Sequence, residues 1–204
     1  VTFLAGDCWS AGRVEDLLEG EALADRAQAF VIAFNGWMPE EVRPGIPLCG
    51  VIPDPASRHT VALKPALSLV SKVVYFKVVK AGRTVSYGAT WTAPVDTRVV
   101  TVPIGYGDGY PRSLSSRGEV LVRGQRHPIV GRVCMDQFMV DLGPGGSAYN
   151  EDEVVLIGRQ GDDAISCEAV ASTAGTIPYE ILTGLNARIP REYVRGASIG
   201  APAA

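Results

Sequence analysis

A chain of 204 residues, 47% hydrophobic and 20% charged, has enough apolar sequence to bury a core, which excludes a disordered or collagen-like polymer. A formal net charge of -3 supplies no positive field for phosphate backbones, so nucleic acid is not an expected partner. No apolar run reaches the roughly 20 residues that cross a bilayer, and residues 1–7 hold no basic segment leading into an apolar stretch, so no membrane partner is expected either.

In chain order, Leu17, Leu18, Leu23, Ala27 and Phe30 recur among acidic and alanine residues over 14–34, which predicts one or two amphipathic helical turns. Gly36, Pro39, Pro44, Gly45 and Pro47 then interrupt the chain so often that a loop around a short strand is expected. The polar, breaker-rich stretch 53–59 reads as a connection, and the domain boundary is placed there. Beyond it the pattern is β. Leu67, Leu69, Val73, Tyr75 and Val78-Val79 form a run rich in β-branched and aromatic residues, closed by the turn Ala81-Gly82-Arg83. Further short runs of this kind lie at 97–104, 120–122, 129–134, 138–142 and 154–157, most of them separated by glycine-containing turns. Ser166 is the expected cap of a short helix running to Ala174 and stopped by Gly175, and Thr176-Ile177-Pro178 reads as the start of another. Many short strands without intervening helices predict a mainly β, antiparallel barrel-like or sandwich domain with short helices, not βαβ units.

The four cysteines, Cys8, Cys49, Cys134 and Cys167, form no C-x-x-C pair and accompany only two histidines, His59 and His127. Reduced thiols, no structural metal and a cytoplasmic location are the expectations. The richest segment chemically is Ile104-Gly105-Tyr106-Gly107-Asp108-Gly109-Tyr110-Pro111-Arg112, where glycines let the backbone approach a ligand and two tyrosines offer hydroxyls. Composition alone favours the plainer reading, a glycine-rich hairpin loop with packed tyrosines. Tyr87, in Val85-Ser86-Tyr87-Gly88, reads by itself as a core tyrosine, since a phenol of pKa about 10 in water acts as a base only beside a positive charge or a strong hydrogen bond. Asp136, after Gly131-Arg132-Val133-Cys134-Met135, reads by itself as a solvated strand end.

Taken together and in order, Arg43-Pro44-Gly45-Ile46, Leu63 to Leu69, Val85 to Gly88, Gly105 to Gly109, Gly131 to Gln137 and Ile177-Pro178-Tyr179-Glu180 resemble the alanine racemases. The resemblance covers the chain from about Val42 to Arg191. It implies a carboxy-terminal β-domain preceded by an α/β barrel, in a head-to-tail homodimer whose active sites draw on both subunits. It implies pyridoxal 5'-phosphate as cofactor, held by a barrel lysine that this chain does not contain, and a small amino acid as substrate. Racemisation then needs a proton-transfer group on each face of the α-carbon. The barrel lysine serves one, and Tyr87 matches the tyrosine that the other subunit brings to the opposite face. At matching positions, Arg43 would face the pyridine nitrogen, the amides of Gly45 and Ile46 and the hydroxyl of Tyr179 would hold the phosphate, and Tyr106 with the Met135 backbone would bind the substrate carboxylate. Asp136 would fix that loop.

The sequence also departs from the family. Val31-Ile32-Ala33-Phe34-Asn35-Gly36 does not match the family's His-x-Ala-Asn-Ser segment, and Cys49 replaces the tyrosine of a Leu-Tyr-Gly triplet. Lys80-Ala81 looks like the cofactor-lysine motif, but its place before Tyr87 corresponds to a strand and turn, so Lys80 is read as a solvated turn lysine. The expected organisation is a remnant of the end of an α/β barrel over 1–62, the racemase β-domain over 63–196 and a tail over 197–204. The opening valine is that expected of a fragment or a processed product. The expected function is that of a portion of an alanine racemase, inactive alone and completed by a homodimer or a barrel-containing chain; the alternative is a non-catalytic β-domain for dimerisation or ligand binding.

Overall fold

A computed structural model describes residues 2–5, 45–53 and 63–194. They belong to two compact units, one of residues 1–5 with 67–204 and one of residues 6–66. The helical turns expected over 14–34, Cys8, Arg43 and most of the 53–59 connection lie outside the described residues.

In the smaller unit the described chain forms a 3-10 turn, Ile46–Cys49. Pro47 suits its first positions, where a fixed φ helps and a missing N–H costs nothing. The amide of Gly50 closes the turn on the Pro47 carbonyl at 2.9 Å, and the Ala66 amide reaches the Cys49 carbonyl at 3.0 Å. Ile46 and Val51 are buried.

The larger unit contains strands β1 (Thr2–Ala5), β2 (Leu67–Lys72), β3 (Tyr75–Val79), β4 (Thr84–Val85), β5 (Trp91–Thr92), β6 (Thr97–Val102), β7 (Glu119–Val122), β8 (Gln125–Val130), β9 (Phe138–Asp141), β10 (Glu153–Gln160), β11 (Asp163–Ile165) and β12 (Arg191–Glu192). Its main sheet runs β12-β1-β2-β10-β7-β8-β9-β6-β3, with β11 beside β10, while β4 and β5 form a separate hairpin. All pairings are antiparallel except that of β1 with β12. The expectation of a mainly β, antiparallel domain with short helices holds, and β1 adds a strand from the extreme amino-terminal residues.

The run read as continuous from Leu67 to Val79 is two strands. At Val73 and Val74 the backbone changes partner: Val73 exchanges hydrogen bonds with Asp152 and Glu151 at 2.9 and 2.8 Å, whereas the Val74 amide turns to the Thr101 carbonyl at 3.0 Å. β2 therefore pairs with β10 and β3 with β6. Val154 to Ile157 of β10 are all buried, a continuous apolar run rather than an alternating one, because α1 (Cys167–Ala174) packs over this part of the sheet.

Helix α1 forms where its caps are written. The Ser166 hydroxyl accepts from the Ala169 amide at 3.1 Å, Gly175 ends the helix at φ 78, and Cys167, Val170 and Ala171 make one buried face. Helix α2 (Pro178–Gly184) follows and buries Pro178 and Ile181. The Cys167 thiol, pushed up to about 12 by burial, lies 3.7 Å from the Pro178 carbonyl and ties the two helices.

The sheet's centre holds Leu69, Val100, Val102, Leu121, Phe138, Val140 and Leu156, each with no more than 0% exposure. Tyr110 stacks on Phe138 with ring centroids 5.4 Å apart. It is 1% exposed, burial raises its phenol above the ordinary value, and its hydroxyl has no partner among the described residues. An unpaired buried hydroxyl carries a desolvation cost of about 1–3 kcal/mol. Tyr110→Phe is therefore expected to leave the urea midpoint unchanged or raise it; a drop equivalent to more than about 1 kcal/mol would show that the hydroxyl is bonded after all.

Candidate active site

Three loops project from the ends of these strands and are fastened to one another. The first follows β6. After Ile104 the chain makes a 3-10 turn, Tyr106–Asp108, with the Asp108 carboxylate accepting the Gly105 amide at 2.8 Å. The second follows β8, and its turn is closed by the Cys134 amide on the Gln137 carbonyl at 2.9 Å. The two meet backbone to backbone: the Tyr106 amide reaches the Cys134 carbonyl at 3.0 Å and the Gly107 amide reaches the Met135 carbonyl at 2.8 Å. A Cβ at position 105 would stand 2.1 Å from the Cys134 oxygen, so this approach requires glycine. At Gly109, φ is 94 and a Cβ would stand 1.9 Å from the Gly184 oxygen, so the same loop also lies against the end of α2.

The third loop carries Tyr87. Strand β8 stops at Val130, short of the expected 129–134 run, because serine hydroxyls take over the backbone that a strand neighbour would otherwise satisfy. Ser116 bonds both the amide and the carbonyl of Gly131, at 3.0 and 3.1 Å. Ser86 does the same for Arg132, at 2.8 and 3.2 Å, and Ser115 accepts the Val133 amide at 3.0 Å. Ser86 immediately precedes Tyr87, so the Tyr87 loop is anchored to the segment that leads into Met135 and Asp136. The anchor holds Ser86 at φ 69 and ψ 168, a region essentially reserved for glycine. The next residues, Tyr87–Ala89, form a 3-10 turn, and a methyl group on Gly88 would lie 3.4 Å from the Arg132 guanidinium.

The site candidates are exposed where a core would hide them. Tyr87 is 75% exposed, Tyr106 47% and Met135 53%, which overturns the reading of Tyr87 as a core tyrosine; the packed tyrosine of the glycine-rich loop is Tyr110. Asp136 is exposed, as a solvated carboxylate would be, but it is no strand end: it lies in the turn after Met135, and its carboxylate accepts from the Arg188 guanidinium at 2.7 Å. Tyr179, 43% exposed, is the second residue of α2, and its carbonyl accepts the Thr183 hydroxyl at 2.8 Å. Gly45 and Ile46 open the 3-10 turn of the other unit, where leading N–H groups have no acceptor within the turn. Lys80 is an exposed turn residue in an ion pair with Asp96 at 2.6 Å, a hydrogen bond that raises its pKa and holds it as an ammonium. The serines at 86, 115 and 116 and Arg188 are contributors that the sequence reading missed.

Residues 66–193 match the family model "Alanine racemase, C-terminal domain". The chain belongs to the alanine racemase C-terminal domain family. It is 50% identical over 153 residues to the alanine racemase of Cutibacterium acnes, an alignment that takes in 75% of this chain and 40% of that protein. The structure of the Bacillus anthracis alanine racemase with bound L-Ala-P is similar at a TM-score of 0.71 and 45% identity, over 74% of this chain and 39% of that one. Alanine racemase from Bartonella henselae with covalently bound pyridoxal phosphate is similar at a TM-score of 0.67 and 36% identity, over 74% of this chain and 40% of that one. The chain spans about two fifths of the length of the relatives it matches. No helix among the described residues is long and apolar enough to cross a membrane, and none of their His, Cys, Asp and Glu side chains gather into a metal-holding group.

Within this racemase domain the Ser86 anchor makes a sign prediction. Ser86→Ala deletes the hydroxyl and keeps the disfavoured backbone, whereas Ser86→Gly deletes the hydroxyl and relieves the backbone. Alanine should cost about 1–2 kcal/mol and glycine less, the reverse of their usual order, with faster amide exchange at Arg132 in both. Equal or inverted costs in denaturant titrations would show that Ser86 is unstrained.

Proposed function

We propose that the chain contributes one face of a two-subunit, pyridoxal-phosphate-dependent alanine racemase site that interconverts L- and D-alanine. Tyr87 is the proton-transfer group on that face. The Tyr106 hydroxyl and the Met135 backbone receive the substrate carboxylate, with Asp136 fixing the geometry of the Met135 loop. Arg43, the amides of Gly45 and Ile46 and the Tyr179 hydroxyl are the cofactor contacts. The cofactor lysine and the barrel belong to the rest of the assembly, a homodimer or a barrel-containing chain.

The observation that carries this reading is the 75% exposure of Tyr87 on a loop whose neighbouring residue is bonded to the Arg132 backbone. A phenol held out of the core on an anchored backbone is placed to exchange a proton with something outside the domain. The residue types proposed for the phosphate end support the reading, since leading amides of a 3-10 turn and a tyrosine hydroxyl are both donors suited to an oxyanion. When bound, the cofactor supplies the electron withdrawal that acidifies the α-carbon. Arg43 suits the ring nitrogen because a permanently charged guanidinium keeps that nitrogen from full protonation and so limits side reactions. Tyr87 accepts the α-proton on its face or returns one, and Tyr106 with the Met135 amide holds the carboxylate so that the α-hydrogen faces the phenol.

The test is a chimera in which this domain replaces the equivalent domain of a complete alanine racemase. It should racemise alanine, and Tyr87→Phe should lower the rate by about 10²–10⁴-fold while preserving packing. Deuterium exchange into alanine should continue on the lysine face and fall silent on the tyrosine face. A phenylalanine variant as fast as its parent would leave the chain as a β-domain for dimerisation or ligand binding.

A further inference from the structure

The guanidinium that reaches both docked loops is that of Arg188, which follows α2. Its Nε donates to Asp108 at 2.8 Å and its Nη2 donates to Asp136 at 2.7 Å. Asp108 belongs to the Tyr106 loop and Asp136 to the Met135 turn, so one guanidinium spans both. The span is held from below. The Asn186 amide reaches the Asp108 carbonyl at 2.8 Å, and the Asn186 side chain accepts the Arg188 amide at 3.0 Å. Asp108, whose side chain is only 13% exposed, spends its other oxygen on the Gly105 amide. A Cβ at Gly107 would stand 2.7 Å from the Arg188 Nη2, which shows how closely the guanidinium lies over the point where the loops join.

Charge makes the same point as geometry. The two loops that would receive a carboxylate themselves carry two carboxylates, and like charges at close range repel. Arg188 puts a permanent positive charge between them. A lysine would keep the charge but lacks the planar fork that reaches two acceptors at fixed angles.

We propose that Arg188 is a positioning residue for substrate binding: by bridging Asp108 and Asp136 it locks the Tyr106 loop to the Met135 turn and offsets part of the acids' negative charge, so that the site presents its donors to an amino-acid carboxylate against less repulsion. This inference rests on the function proposed above and assigns Arg188 no contact with the substrate.

The test has two arms. In the full 204-residue chain, Arg188→Gln should speed amide exchange at Gly107 and Asn186 by about tenfold while the amides of β6 keep their rates, because the local fastening opens and the sheet does not. In the racemase assembly, Arg188→Gln should raise KM for alanine about tenfold with kcat within about threefold of the parent, the signature of lost binding common to ground and transition states. Arg188→Lys should fall between the two, with a KM that worsens as salt screens its charge. An active assembly whose KM is indifferent to Arg188→Gln would overturn the proposal. So would faster β6 exchange with equal loss of activity in both variants, which would make Arg188 merely structural. If the unmutated assembly is itself silent, the functional reading fails and takes this one with it; that outcome is told apart because it needs no Arg188 variant.

Discussion

The structure around the candidate site depends on a backbone contact between two loops with no side chain between them. The amides of Tyr106 and Gly107 meet the carbonyls of Cys134 and Met135, and this is possible only because position 105 has no Cβ. Everything chemically distinctive hangs from that junction. Tyr106 and Met135 are exposed because the main chain, not their side chains, does the packing. Asp108 and Asp136 are brought within reach of a single guanidinium for the same reason. Side-chain packing at this point would have put apolar groups where donors are now presented.

A second fastening works by the same logic from the other side. The backbone of residues 131–133 leaves the sheet after β8, and its polar groups cannot remain unpaired where they are buried. Three serine hydroxyls satisfy them, and one of these, Ser86, carries Tyr87 as its neighbour. The strained backbone at Ser86 is thus coupled to the position of an exposed phenol, an arrangement in which local cost is sustained by bonds the rest of the fold enforces.

Much of the fold was legible where local pattern and tertiary environment agree. β6, β7 and β9 alternate or cluster apolar residues as buried strands do, and α1 carries both its caps in the sequence, so Ser166 and Gly175 bound it as expected. Legibility failed where the chain changes partner. Nothing local in Val73-Val74 says that one residue bonds toward β10 and the next toward β6, and nothing in Arg132-Val133-Cys134 says that serines will replace a strand. The site divides in the same way. Its tyrosines and glycines could be named from order and spacing, because a family pattern records them. Their exposure could not, and composition alone favoured a core position for Tyr87. Arg188 was invisible because its partners are 80 and 52 residues away along the chain.

The contrast between ordered backbone and exposed side chain bears on the proposed chemistry. A tyrosine has few rotatable bonds, so an anchored backbone fixes most of its phenol's position without burying it. Binding a small substrate then requires little further ordering, and the hydroxyl is left free to gain or lose a proton instead of being spent on the fold. Tyr110, in the loop of Tyr106, shows the opposite use of the same residue type: it is buried, stacked on Phe138 and pushed away from ionisation. Five residues along the chain from Tyr106, the turn at Pro111 and Arg112 begins, so one short glycine-rich segment sends Tyr110 inward as an anchor and leaves Tyr106 exposed. The 3-10 turn Tyr106–Asp108 lies between the exposed and the buried tyrosine, and Asp108 holds that turn by its bond to the Gly105 amide. Under the proposed function, the carboxylate contact of Tyr106 is therefore set by which side of this turn a hydroxyl emerges on, a property of the loop's hydrogen bonds and not of the tyrosines themselves.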